Sequence, residues 1–135
     1  AVLTPHPGEL SRLLGITVAD VQARRLEVAL EAAARFRCTV VLKGAHSVIA
    51  SPDGRASLSP FANPLLATAG SGDVLAGIIA AYLGRGLHPF EAACLGVYVH
   101  AAAGESLREE MGDGGLLASE LAHRLPRVVK ELTVP

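Results

Sequence analysis

The sequence predicts an α/β fold with helices flanking a mostly parallel sheet, and three observations carry that prediction. Ala (23) and Gly (14) supply 37 of 135 residues while aromatics are 4% and Trp is absent, so close backbone packing must replace bulky anchors. Short β-branched apolar runs such as Thr39-Val40-Val41-Leu42-Lys43 alternate with longer stretches of helical period. Hydrophobic residues at 50% against charged residues at 19% can bury a real core. One domain over residues 1–135 is expected, and disorder is excluded. Lys+Arg 12 against Asp+Glu 13, with no basic stretch, excludes a nucleic-acid partner. The longest charge-free run, 56–72, holds Pro60, Pro64 and several polar residues and cannot span a membrane, so no membrane partner is expected. The first residues lack the basic start and apolar core of a secretion signal, and a cytoplasmic location is expected. Cys38 and Cys94, without a CxxC, read as two small buried thiols. The chain opens on Ala1 and at once on an apolar strand, which suggests a piece of a longer protein.

The elements follow in order. Residues 1–4 read as a strand, and Thr4-Pro5-His6-Pro7-Gly8-Glu9 is a turn opening a short helix through Leu14, ended by Gly15. Thr17 caps one long helix whose apolar stripe is Val18, Val21, Leu26, Val28, Leu30 and Phe36. Residues 39–43 form a strand, Gly44 turns the chain into a second strand over 47–51, and Pro52-Asp53-Gly54 turns it again. From 61 to 72 the chain has neither period. Val74, Leu75, Ile78, Ile79, Tyr82 and Leu83 then mark a helix closed by Gly84 and Gly86. A further helix starts at Pro89 and runs toward Leu107, apolar nearly all round and hence deeply packed. Ser119 is expected to cap a last helix that Pro126 breaks or restarts.

The most informative stretch is 69–77, where three glycines surround a helix start and Asp73 sits in its first turn. Such a start offers unpaired N–H groups to an anion, and glycine lets a phosphate approach the main chain. It is neither a Walker loop, which needs Lys-Ser/Thr after the last glycine, nor a Rossmann fingerprint, since Leu75 takes the third glycine's place. The plainer reading is that Asp73 caps the helix and the glycines merely turn. His6 and Glu9 lie just past the first strand, where ligands bind in open α/β sheets. Glu9 can orient a metal-bound water near phosphates or simply complement the helix dipole, and His6 is otherwise a polar loop residue. Lys43, at a strand end, can meet a phosphate or a neighbouring carboxylate. His46, His88, His100 and His123 share no HExxH spacing, so zinc catalysis is unsupported.

Thr4-Pro5-His6-Pro7-Gly8-Glu9, Val41-Leu42-Lys43-Gly44, Asn63-Pro64, Ala67-Thr68-Ala69-Gly70-Ser71-Gly72-Asp73-Val74-Leu75-Ala76-Gly77 and Gly96-Val97-Tyr98-Val99-His100 occur in an order that resembles the ADP/ATP-dependent NAD(P)H-hydrate dehydratases. These form a branch of the ribokinase-like superfamily, and the resemblance runs from Ala1 to about Leu125. Sugar kinases have Asn-x-x-Glu where this chain has His6-Pro7-Gly8-Glu9. Phe61-Ala62 replaces the family's usual Thr-Gly, and Glu120 stands where an Asp is common.

The resemblance implies a three-layer ribokinase-like fold, of which this chain is the C-terminal half, since a complete domain is roughly twice as long. It implies repair of the S-epimer of NADH or NADPH hydrate. The ring hydroxyl is phosphorylated by ADP or ATP and phosphate then leaves, with Mg²⁺ as cofactor. By the same resemblance Asp73 is the general base and a substrate contact. His6 touches the hydrated dinucleotide, Lys43, Gly44, Ala45, His46 and Ser47 hold the nucleotide, and Glu9 stands near the metal. Backbone N–H groups of Gly70, Ser71 and Gly72 stabilise the transferred phosphoryl group. A homo-oligomer and a fused NAD(P)H-hydrate epimerase domain are further expectations. Two alternatives are a ribokinase-like kinase of a vitamin precursor, which would release a phosphoester, and a non-catalytic half-domain in oligomerisation or regulation.

Overall fold

The computed structural model describes residues 1–133. Its strands are β1 (Val2–Leu3), β2 (Thr39–Leu42), β3 (Val48–Ala50) and β4 (Ala56–Leu58), side by side in that order. The helices are α1 (Pro7–Leu14), α2 (Val18–Ala23), α3 (Arg25–Phe36), α4 (Ser71–Gly84), α5 (Pro89–Met111) and α6 (Ala118–Thr133), with a 3-10 turn at Pro64–Leu66. β1 pairs with β2 in parallel, while β2, β3 and β4 form an antiparallel meander. This differs from the mostly parallel sheet expected, because the short loops after β2 and β3 can return the chain only antiparallel; a parallel return needs a long crossover. β4, which the sequence did not signal, is an edge strand with exposed ends and no apolar alternation.

Three layers result. Val40, Leu42, Val48 and Ala50 face α3 through Val28, Ala29, Ala32 and Ala33, while Val41 and Ile49 face α4 and α5 through Leu75, Ile79, Ala93 and Val97. Because β2 is covered on both faces, all four of its residues are buried. α6 packs behind α5 with Leu121 and Val128 in a third cluster. The close packing that the Ala and Gly content foretold is visible between α4 and α5: a Cβ on Gly96 would lie 2.6 Å from Ile79 Cγ1. Gly96→Val in the full-length protein is expected to cost about 1–3 kcal/mol, overpacking outweighing the small gain in helix propensity. A urea midpoint equal to wild type would refute that.

The single helix expected over 18–36 is two. Thr17 caps α2 in a capping box with Asp20, but Arg24 leaves helical geometry (φ −135°, ψ 46°) and α3 starts afresh. The break lets Val21 fill the core beside Leu10 while α3 lies flat on the sheet, leaving Val18 and Leu26 exposed. At the last helix Ser119 is not the cap. The Glu120 carboxylate accepts the Leu117 N–H at 2.7 Å, and α6 runs unbroken through Pro126, on an exposed face where the freed Ala122 carbonyl meets water. Cys38 and Cys94 are half-buried rather than buried, unpaired, and burial raises both thiol pKa values.

Candidate active site

The parallel pairing of β1 with β2 places both carboxyl ends at one edge of the sheet, and the Lys43 N–H donates to Pro5 O at 3.0 Å to join them. There His6 is the N-cap of α1. Its Nδ1 accepts the Glu9 N–H at 3.2 Å, and Glu9 Oε2 in return accepts the His6 N–H at 2.7 Å, a capping box. That hydrogen bond first, and then the nearby His6 ring and the charges of Lys43 and Arg12, hold the Glu9 pKa down against slight burial. The dipole-complementing role of Glu9 is therefore exercised, while a carboxylate's spare lone pairs remain for water or a cation.

Lys43 joins this corner to the next. Its Nζ lies 3.9 Å from Glu9 Oε2 and sits over Gly72, where a Cβ would come within 3.1 Å of it. Gly72 belongs to the first turn of α4, whose N-cap Gly70 is left-handed (φ 86°). The positive φ belongs to Gly70, not Gly72. The Ser71 N–H donates to Thr68 O at 3.1 Å and the Asp73 N–H to Gly70 O, so the free amides of this turn are those of Gly70 and Gly72. Ser71 N–H is thus not available to a phosphate. Among the described residues the Asp73 side chain makes no hydrogen bond and is exposed, so it does not act as a side-chain cap. Ser71 is itself held from α5: His100 Nε2 lies 3.0 Å from Ser71 O and 3.1 Å from Ser71 Oγ, both residues buried.

The β2–β3 loop closes another side. Arg25, at the start of α3, reaches the carbonyls of Leu42 and Lys43 at 3.3 and 3.4 Å, and its guanidinium lies 3.0 Å from where a Cβ on Gly44 would be. Burial lowers the Arg25 pKa. Ser47 Oγ donates to Gly44 O at 3.1 Å. His46 turns the other way in left-handed geometry (φ 51°). Its N–H donates to Phe61 O and its Nδ1–H to Ser59 O at 3.0 Å, stapling the loop to the 59–61 segment.

These elements enclose a cleft of about 620 Å³ in which Lys43 is the single charged lining residue. His6, Lys43, Gly44, Ala45, Ser47, Ser71 and Gly72 line it. Gly70 and Asp73 stand beside it on the same turn of α4, Glu9 meets it through Lys43, and His46 lies outside it. Phe61, Ala62, Asn63 and His100, named above with the resemblance and not as binding residues, also line the cleft. Phe61 faces the cleft and packs edge-on against Tyr98, ring centroids 5.3 Å apart. Asn63 accepts the Leu65 N–H through Oδ1, while its Nδ2 is buried without a partner among the described residues. Two signals pointed to His100: its place in the Gly96-Val97-Tyr98-Val99-His100 motif, and a histidine within the apolar middle of a helix, where a buried imidazole needs a partner.

A single lysine over a glycine-started helix, at the carboxyl ends of parallel strands in a three-layer α/β fold, is an anion-binding arrangement. The fold class is ribokinase-like: a ribokinase-like superfamily protein from Enterococcus faecalis superposes with TM-score 0.84 at 31% identity, over 99% of this chain and 45% of its own. The family model for NAD(P)H-hydrate dehydratase matches residues 1–127, and the chain belongs to that family. An ADP/ATP-dependent NAD(P)H-hydrate dehydratase from Bacillus subtilis, co-crystallised with ATP/Mg²⁺, superposes with TM-score 0.92 at 44% identity, over 96% of this chain and 47% of its own. Among curated relatives, an ADP-dependent (S)-NAD(P)H-hydrate dehydratase from Neisseria meningitidis is 51% identical over 90% of this chain and 41% of its own length. A bifunctional NAD(P)H-hydrate repair enzyme from Moorella thermoacetica is 50% identical over 97% and 25% respectively. The chain thus spans a quarter to under half the length of these relatives.

Proposed function

We propose that the full-length protein carrying this chain dehydrates the S-epimer of NADH or NADPH hydrate at the expense of ADP or ATP. The observation that supports this best is the placement of Lys43 Nζ over Gly72, between Glu9 and the free amides of Gly70 and Gly72, with the uncommitted carboxylate of Asp73 one residue on. Phosphoryl transfer needs positioning and charge neutralisation more than covalent chemistry from the protein, and those groups are of that kind. In this reading Asp73 takes the proton from the substrate ring hydroxyl as its oxygen attacks the terminal phosphorus. The Gly70 and Gly72 amides and Lys43 meet the phosphoryl oxygens, the 43–47 segment carries the nucleotide, and His6 contacts the hydrated dinucleotide. The C–O bond of the new phosphate ester then breaks, phosphate leaving with the ring oxygen and the bonding pair while the adjacent ring carbon loses a proton, so that ADP and hydrate yield AMP, inorganic phosphate and NADH or NADPH.

Among the described residues no three His, Cys, Asp or Glu side chains gather as a metal cage. Mg²⁺ bound chiefly through phosphates needs only one or two carboxylates and keeps several waters. The exposed Glu9 beside Lys43 fits that mode, holding the ion through water. When bound, the ion supplies charge neutralisation of the phosphates.

The two free cysteines fit a reducing cytoplasm, and no helix among the described residues is long and apolar enough to cross a membrane. The bifunctional name of the Moorella relative supports a fused epimerase partner. Incubation of the full-length protein with NADH hydrate and ADP tests the reading. Inorganic phosphate released in step with NADH is expected. A stable phosphoester would identify a small-molecule kinase instead, and no turnover with either nucleotide would favour a non-catalytic module.

A further inference from the structure

We propose that His100 is a positioning residue which, through Ser71, fixes the first turn of α4 and makes the Ser71 hydroxyl the third donor of the anion cradle, in place of the Ser71 N–H. The inference rests on the nucleotide-binding reading above and deepens it. The Ser71 amide is spent on Thr68 O, so a cradle of only two free amides remains unless another donor joins it. His100 Nε2 faces two oxygens, Ser71 O at 3.0 Å and Ser71 Oγ at 3.1 Å. A carbonyl oxygen can only accept, so Nε2 carries the hydrogen and shares it between the two. Ser71 Oγ is then an acceptor toward His100, and its own hydrogen is free to donate. Ser71 and His100 both line the cleft, while both are almost fully buried.

The anchor stands in the buried middle of α5. His100 stands four residues after Gly96 on the same helix, and Gly96 is where α4 and α5 touch through Ile79. One contact sets the spacing of the two helices and the other sets where α4 begins. Gly72 and Asp73, the next two residues, inherit that position. Burial lowers the His100 pKa, so the ring stays neutral with one hydrogen to place.

The test uses the full-length protein, with ADP as the calorimetric probe and hydrate turnover as the second readout. Ser71→Ala is expected to weaken ADP binding about tenfold, the loss of one hydrogen bond to a charged group. His100→Phe keeps a flat aromatic ring, somewhat larger than imidazole, but removes the anchor. It is expected to weaken ADP about tenfold and to lower kcat a further 10- to 100-fold, since misplacement of about 1 Å costs that much. His100→Gln, whose amide can donate at a similar reach, is expected to recover most of both. The double variant Ser71→Ala/His100→Phe should bind ADP no more weakly than His100→Phe alone. A merely structural histidine would lower the melting temperature of His100→Phe while leaving ADP affinity and kcat of the folded fraction unchanged, and that result would overturn the proposal. If His100→Phe does not fold, unchanged ADP affinity in Ser71→Ala would overturn it equally, and a tenfold loss there with rescue in His100→Gln would support it. Wild-type protein that binds neither ADP nor ATP would overturn the nucleotide reading as well; wild-type binding with indifferent variants sinks this inference alone.

Discussion

Asp73→Asn in the full-length protein is expected to lower hydrate turnover by about 10²- to 10⁴-fold, the range for removal of a general base. Nucleotide affinity is expected to stay within about twofold of wild type, because the cradle is built of backbone amides and Lys43, not of carboxylate oxygens. The structure makes the substitution a clean one. Asp73 is exposed in the first turn of α4, its side chain hydrogen-bonds to nothing among the described residues, and the N-cap is Gly70, which needs no side chain. Asn preserves shape and removes only the basic oxygen. Single-turnover measurements at saturating ADP are the check. Turnover within about twofold of wild type would leave Asp73 with no part in proton transfer.

Gly72→Val is expected to abolish nucleotide binding, with ADP affinity falling by at least about 10²-fold, while the fold persists. Gly72 is not left-handed, so the effect acts through space rather than backbone strain. A Cβ there would meet Lys43 Nζ at 3.1 Å, and the two methyl groups beyond it would fill the volume in front of the free amide. The neighbour displaced is the end of a flexible lysine, which can swing away at little cost to stability. Gly70→Val is the informative contrast. Gly70 is left-handed, and its Cβ would press on Ala118 Cβ at 3.1 Å, so that variant is expected to lose stability as well as affinity. Calorimetry paired with thermal melts separates the two. Unchanged ADP affinity in Gly72→Val would move the anion site elsewhere.

Much of this fold was legible locally. The capping roles of Thr17 and Gly15, the start of α5 at Pro89 and a helix start among the glycines of 69–77 are written in residue types whose backbone preferences act within one turn, whereas Gly70, not Asp73, proves to be the cap of α4. The site was legible to a similar depth. His6, Lys43 and Gly72 were marked as strand-end or helix-start residues, and those are places where an α/β fold binds anions.

Residue period and capping chemistry were enough to mark most helices, the strands β1 to β3 and the glycine turns, but not the edge strand β4 or the break at Arg24. Period and capping chemistry depend on neighbours three or four residues away. Which backbone groups remain free, and what stands opposite them, follows only from how the elements pack. The break at Arg24 is set by the need of Val21 and the Ala29–Ala32–Ala33 stripe to reach different parts of the core, which no local preference records. The Ser71 amide is lost to Thr68, Lys43 is aimed at Gly72, and His100 is bonded to Ser71 across 29 residues of chain, because β2, α4 and α5 happen to converge there. Such pairings depend on the relative placement of rigid elements, a property of the packed core as a whole and of no stretch of sequence within it.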